Sequence, residues 1–430
     1  MGSIRHVKKV AMVSALLFVL TLSVGGGVAS KGTDQAATYE NLRLFTEVLS
    51  IVQSQYVDEV AAKDIIYSAI KGTLRGLDPH SSFLDPEMYR EMQVETSGSF
   101  GGLGIEITLR DDVLTVVAPI DGTPAHRVGL QPGDRIVKIE GITTKDMQLI
   151  DAVKRMRGKP GSKIVISIMR EGFTEPRDFE ITREQIHVQS VRAVPLEPGI
   201  EYIRLRQFQE QTSHDMEAAL EKFTKNGKIQ GLVLDLRNNP GGLLTSAVEV
   251  SEKFIEAGKM VVYTEGRVRN QNMRFNANAK RVYLDFPIVV LVNQGSASAS
   301  EIVAGALQDH GRAVVLGTQT FGKGSVQTII PLSDGSGLRL TTAKYFTPKG
   351  RSIHGKGVAP DILVEMPKVT AAAPPATDPA AKPTSPHVET KPQEDLKKDP
   401  QLQRALDLLK AMRILDRTRP APAGTQAQVR

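Results

Sequence analysis

Three serines crowd the stretch Gly295–Ser296–Ala297–Ser298–Ala299–Ser300–Glu301, and a lysine between two glycines, Gly322–Lys323–Gly324, follows one short strand later. A serine hydroxyl is a poor nucleophile until a base takes its proton. Lysine can serve as that base when burial or a nearby positive charge lowers its pKa and frees the neutral amine. Ser298 is the best placed of the three serines, at the junction of a turn and a helix. There the helix N-terminus favours developing negative charge. Ser298–Ala299–Ser300–Glu301 also reads as a capping box, S-x-x-E, with Ser298 as a plain N-cap. Lys323 alone reads as an exposed turn lysine. A third segment, Asp235–Leu236–Arg237–Asn238–Asn239–Pro240–Gly241–Gly242, ends a strand and opens a helix. Two glycines there can aim backbone N–H groups at an oxyanion, or can simply make a tight turn set by Asn239–Pro240.

Other chemistries fit less well. The chain has no cysteine, which excludes thiol catalysis, disulfides and cysteine-based zinc sites. Its eight histidines are scattered, without HExxH spacing. His187, His310 and His354 stand in no recognisable triad motif, although order alone does not exclude one. The elbow G-x-S-x-G is not matched around Ser298. Gly317 to Lys323 matches most of a phosphate loop. Gly324 replaces the magnesium-binding hydroxyl, however, and a strand-like run follows instead of a helix. No cofactor is implied. A net charge of +6 over 430 residues, with no dense basic face, does not indicate nucleic-acid binding.

The surrounding chain must position these residues. Residues 1–30 read as an export signal: Arg5, Lys8 and Lys9, then an apolar core Val10–Val24, then Val28–Ala29–Ser30 as a small-residue cleavage site. An uncleaved membrane anchor is the alternative, since a span needs about 20 residues. Either places the remainder outside the cytoplasm, in the periplasm or its equivalent. Residues 38–97 form a helical region with apolar stripes at Leu42, Phe45, Val48, Leu49, Val52 and Tyr56 and at Ile65, Ile66, Ala69, Ile70 and Leu74. His80 reads as a turn residue. Residues 98–184 are rich in short strands. Residues 185–365 alternate strands and helices, an α/β core. Residues 366–397 are a Pro- and Ala-rich linker. Residues 398–430 hold one amphipathic helix around Leu402–Met412 and a tail. The stripes at 38–75 and 402–412 suggest a homo-oligomer. An adaptor protein is compatible with the sequence but not specified by it.

Two resemblances draw the pattern together. Gly102–Leu103–Gly104–Ile105, Thr123–Pro124–Ala125 through Gly129–Leu130, Pro132–Gly133–Asp134 and Ile139–Glu140–Gly141 resemble a PDZ domain. Its glycine loop captures a peptide carboxylate, and its exposed strand edge pairs with the peptide. Arg170 is a weak candidate for coupling this domain to the next. With the PDZ pattern, the segments Leu77–Leu84, Asp235–Gly242, Gly295–Glu301, Phe321–Gln327 and Gly350–Ile362 resemble the carboxyl-terminal processing proteases, a serine–lysine peptidase family. That resemblance implies a multidomain α/β (α+β) protein with a crotonase- or Clp-protease-like core, a PDZ domain and N-terminal helices. It implies Ser298 as nucleophile, Lys323 as general base and Gln327 orienting the lysine. It implies an oxyanion hole from the N–H of Ala299 with that of Gly241 or Gly242. The even spacing of Lys323 and Gln327 puts both on one strand face if that strand is regular. The expected function is an exported serine endopeptidase that binds flexible C-termini of protein or peptide substrates and cleaves through an acyl-enzyme. The alternative is a PDZ-bearing scaffold or binding protein with little or no catalysis.

Overall fold

The computed structural model describes residues 29–366 and 398–418. The expected export signal therefore lies outside the described residues except for Ala29 and Ser30, as do the linker from residue 367 and the tail after 418. The chain divides into two compact units between Phe83 and Leu84. The first holds helices α1 (Ala29–Gln55) and α2 (Ala62–Arg75). Leu42, Phe45 and Val48 of α1 are exposed, as is Tyr56 just beyond its end, whereas Leu74 of α2 is buried. Asp78 accepts from His80 N at 2.7 Å and Ser81 N at 2.8 Å, so His80 is a turn residue in an Asx-type turn. Among the described residues, no helix is long and apolar enough to cross a membrane.

The second unit begins with α3 (Pro86–Ser97), capped by Asp85 and ended by Gly98 in the left-handed region. Strand β1 (Ser99–Gly102) leads into the PDZ-like fold, and β8 (Glu184–His187) leads out of it; the two pair antiparallel. Entry and exit of the inserted domain are thus hydrogen-bonded together. Between them lie β2 (Ile105–Arg110), β3 (Val113–Pro119), α4 (Pro124–Arg127), β4 (Arg135–Ile139), β5 (Ile142–Thr143), α5 (Leu149–Met156), β6 (Lys163–Met169) and β7 (Arg177–Thr182). The sheet order is β2-β3-β4-β6-β7, with β5 on β4. Alternating residues such as Ile164, Ile166 and Ile168 turn inward and bury a core with Leu114, Ile136 and Ala152.

The remainder is a mixed α/β core. A six-stranded sheet runs β9 (Val191–Glu197), β10 (Ile200–Leu205), β11 (Gly231–Asp235), β14 (Ile288–Val292), β15 (Ala313–Gly317), β18 (Ile362–Leu363). Only β9 is antiparallel to its neighbour. Fully buried runs such as Ile288–Val292 are what a parallel sheet covered on both faces requires. Helices α6 (Thr212–Asn226), α7 (Leu244–Glu252) and α8 (Ala299–Asp309) share one core with Ile203, Leu234, Val290 and Val315. The opposite face, with Tyr202, Val233, Val289 and Leu291, packs on Leu402, Ala405 and Leu409 of α9 (Pro400–Thr418). Full burial of each leucine contributes about 2 kcal/mol. A second, antiparallel sheet pairs β16 (Ser325–Pro331), β17 (Gly337–Phe346), β12 (Met260–Gly266) and β13 (Arg274–Asn276) in that order.

Arg170 does not reach across to this core. Its guanidinium grips Asp134 at 2.6 and 2.7 Å and donates to the Gly129 carbonyl at 2.9 Å, all inside the PDZ-like domain. Asp134 is buried, so its charge needs this partner. Arg170→Ala should cost the PDZ-like domain about 2 kcal/mol, the range for a hydrogen bond to a charged group. Hydrogen exchange should quicken in β4 and β6 and stay unchanged in β10–β15; unchanged protection in β4 would show that the pair contributes nothing.

Candidate active site

The three serines separate by burial. Ser296 is fully buried, and its hydroxyl donates to the Leu236 carbonyl at 2.8 Å and accepts from Asn293 N at 3.0 Å. Ser300 is fully buried too and donates to the Asn239 carbonyl at 2.9 Å. Both staple the turn after β14 to the turn after β11. Ser298 is half-buried and directly precedes α8. Its backbone has φ 56° and ψ −113°, a region that costs a non-glycine residue on the order of 1–3 kcal/mol. Two bonds hold it there: Ser298 N donates to Glu301 Oε2 at 2.8 Å, and the neighbouring Ala297 N donates to the Asn239 carbonyl at 3.0 Å. Glu301 N also reaches the Ser298 carbonyl at 2.9 Å, and the reciprocal Ser298–Glu301 capping box read from the sequence is present.

The glycines of the third segment make the close approach possible. A Cβ on Gly241 would lie 2.8 Å from Ser298 Cβ and 3.0 Å from Ala299 N. One on Gly242 would lie 2.1 Å from the Phe208 carbonyl oxygen. Both glycines have φ values in the region closed to most side chains, 103° and 143°. Gly241 N donates to Asn239 Oδ1 at 2.9 Å. Ala299 is the first residue of α8, where an N–H has no intrahelical acceptor.

Lys323 sits in the loop between β15 and β16. Its flanking glycines are pressed against the loop that follows β17: a Cβ on Gly324 would meet His354 N at 2.3 Å, and Gly355 N donates to the Gly322 carbonyl at 2.8 Å. Glu301 joins this loop to Ser298. Its two oxygens accept from Thr320 Oγ1 at 2.6 Å, Gly322 N at 2.7 Å, Lys323 N at 2.9 Å and Ser298 N. Burial lowers the Lys323 pKa below its ordinary value; Arg339 adds to the lowering, and Glu301 opposes it. Tyr345, nearly fully buried, donates its phenol to the Lys323 carbonyl, and the Ser298 hydroxyl lies within hydrogen-bonding reach of that phenol. Burial, chiefly, pushes the phenol pKa well above its usual value.

Gln327 is arranged differently from the regular-strand expectation. Lys323 precedes β16, so the two residues do not share one regular strand, and their even spacing does not decide which faces they take. The Gln327 amide nitrogen donates to Ser325 Oγ at 3.1 Å and Thr341 Oγ1 at 3.0 Å. In the PDZ-like domain, Gly102 ends β1, opposite Glu184, and Leu103 is buried in the core. Gly104, at φ 78°, passes so close to Thr123 that a Cβ would come within 2.3 Å, and Ile105 opens β2. Sequence reasoning missed Tyr345 and saw Glu301 only as part of a cap.

The strain at Ser298 gives a measurable consequence. Ser298→Gly should be more stable than Ser298→Ala by about 1 kcal/mol, because glycine alone adopts this backbone freely. Chemical denaturation of the two variants measures the difference; equal stability would mean that no strain is stored there.

Comparison with known proteins identifies the family. Residues 199–364 match the model of Peptidase family S41, and residues 115–170 match a PDZ domain. The chain is 46% identical over 357 residues to the carboxy-terminal-processing protease of Bartonella bacilliformis, covering 82% of this chain and 80% of that protein. It is 40% identical over 328 residues to the carboxyl-terminal-processing protease of Synechocystis sp., covering 74% and 76%. A solved photosystem II D1 C-terminal processing protease is 32% identical, with a TM-score of 0.43 over 75% of this chain and 92% of that one. Matched over most of its length by these relatives and carrying a PDZ domain, the chain belongs to the carboxyl-terminal processing proteases of peptidase family S41.

Proposed function

We propose that the protein is an exported endopeptidase working by a serine–lysine mechanism. The observation that carries this reading is the Glu301 carboxylate, which bonds the backbone of Ser298 and of Lys323 at once and so fixes the two loops against each other. Ser298 is the one serine of its turn whose hydroxyl is not committed to a neighbouring backbone carbonyl. The neutral amine of Lys323 takes the Ser298 proton as Oγ bonds to the scissile carbonyl carbon. The oxyanion is received by the Ala299 N–H and by Gly242, or by Gly241 once its N–H leaves Asn239. The ammonium then gives its proton to the leaving amine as the C–N bond breaks, leaving an ester on Ser298. Water, deprotonated by the same amine, hydrolyses that ester. The PDZ loop Gly102–Leu103–Gly104–Ile105 captures the flexible C-terminus of the substrate. The basic, apolar N-terminal segment sends the chain out of the cytoplasm.

The protein without its first 30 residues should degrade an unfolded protein such as casein, and Ser298→Ala and Lys323→Ala should each lower the rate at least about 10³-fold. Peptide binding without any cleavage by the unmodified protein would favour the scaffold alternative. Because the amine must be neutral, kcat/KM should rise with pH through the Lys323 pKa, and that limb should lie below 10.5, where the unshifted amine would titrate. Arg339→Gln removes a positive neighbour and should move the limb upward. A limb that stays in place would exclude Lys323 as the titrating base.

A further inference from the structure

The turn Asp235–Gly242 is held from two sides. On the Ser298 side it is stapled by Ser296, Ser300 and Ala297, and by Asn293 Oδ1 accepting from Asn238 N at 2.8 Å. On the other side it is held by Arg237. The Arg237 guanidinium is buried, and Nη2 lies 2.7 Å from Asp235 Oδ2 and 2.6 Å from Asp399 Oδ2. Its Nη1 donates to Gln401 Oε1 at 2.9 Å. Asp235 in turn accepts from the Tyr202 phenol at 2.8 Å. Asp399 and Gln401 belong to the start of α9, the helix that returns after the linker to cover the sheet.

These polar contacts are not what attaches α9. Leu402, Ala405 and Leu409, all fully buried, already dock it on the sheet. A buried ion pair adds little to stability against an apolar replacement, and its best-attested use is to fix register. Here the pair sits at the helix N-terminus and meets the turn whose Gly241 packs against Ser298. Asp399 divides its carboxylate accordingly. Oδ1 caps α9 by accepting from Gln401 N and Leu402 N at 3.0 Å, and Oδ2 faces Arg237. Gln401 is fully buried, with Nε2 donating to the Val364 carbonyl at 2.7 Å, so its oxygen has one fixed direction.

We propose that Asp399 and Gln401 are positioning residues for catalysis: they hold Arg237, and Arg237 holds the oxyanion-side turn against Ser298. This rests on the serine–lysine reading above. The test is the double substitution Asp399→Asn with Gln401→Leu in the full chain. Asparagine keeps a capping oxygen for α9, while Arg237 loses both partners on that helix. Lys410→Ala, which breaks only the exposed Lys410–Glu197 pair on the same helix, is the control. The double variant should lose about 10- to 100-fold in kcat with KM little changed, the size of effect expected when reacting groups are misplaced by an ångström or less. Hydrogen exchange over residues 236–243 should quicken while the amides of β14 and β15 keep their protection. Lys410→Ala should match the unmodified protein in both. Unchanged exchange at 236–243, or unchanged kcat, overturns the proposal. Faster exchange across the whole sheet also overturns it, because the helix has then simply undocked. If the unmodified protein does not cleave, or Ser298→Ala does, the nucleophile reading fails, and the exchange at 236–243 still decides whether α9 holds the turn.

Discussion

The Glu301 carboxylate is the constraint on which the site depends. It is fully buried, and a buried charge is tolerable only when its acceptor capacity is filled. Four donors fill it: one is the backbone of Ser298, and the others come from Thr320, Gly322 and Lys323. Each such bond to a charged group is worth about 1.5–3 kcal/mol. Displacing either loop would therefore strand a carboxylate away from water. The same charge works against the chemistry, because it raises the pKa of the nearby lysine. Burial and Arg339 outweigh it, and the net shift is downward. In the proposed mechanism, positioning and activation thus pull in opposite directions through one side chain, and burial of the half-buried lysine tips the balance toward the neutral amine.

The parallel sheet explains why these loops meet. The turn with Gly241 follows β11, the turn with Ser298 follows β14, and the loop with Lys323 follows β15, three adjacent strands pointing the same way. Loops at the carboxyl ends of neighbouring parallel strands converge on one edge. Convergence alone would leave ordinary van der Waals gaps. Gly241 removes the gap on one side of Ser298, and Gly322 and Gly324 let the lysine loop settle against the segment around His354. The two buried serines, each bonded to a carbonyl of the next turn, then lock the distance.

Much of this was legible in the sequence because it is local. Apolar runs of strand length, a helix begun by S-x-x-E and glycine pairs at strand ends each have a period or a steric reason. The choice of Ser298 over Ser296 and Ser300 was also available from its place at the helix start. That Ser296 and Ser300 are bonded elsewhere was not, since their acceptors are carbonyls about sixty positions away in sequence, at Leu236 and Asn239. The parity argument for Gln327 was conditional on a regular strand through both residues, and where β16 begins, at Ser325, was not legible in the residue types Lys323–Gly324–Ser325. Arg170 looked like a domain-end arginine, yet its partner Asp134 stands thirty-six positions earlier. Tyr345 alternates correctly for a strand, and nothing in that alternation says that its phenol ends beside Ser298 and the lysine carbonyl.

Lysine as a base poses a geometric problem that histidine does not. A ring nitrogen can be aimed by a carboxylate on its other nitrogen, whereas an amine paired with a carboxylate has its pKa raised and is protonated when it is needed neutral. Direction must come from elsewhere. Under the proposed serine–lysine mechanism it comes here from the backbone: Lys323 N is held by Glu301, its carbonyl accepts from Tyr345, and the flanking glycines are packed on both sides. The flexible stem then leaves from a fixed Cα into an environment that disfavours the charge. His310, for its part, is bonded through Nε2 to the Met260 carbonyl at 2.7 Å. A clamp made of main-chain groups satisfies both demands at once, since it fixes where the amine starts without placing a negative charge at its end.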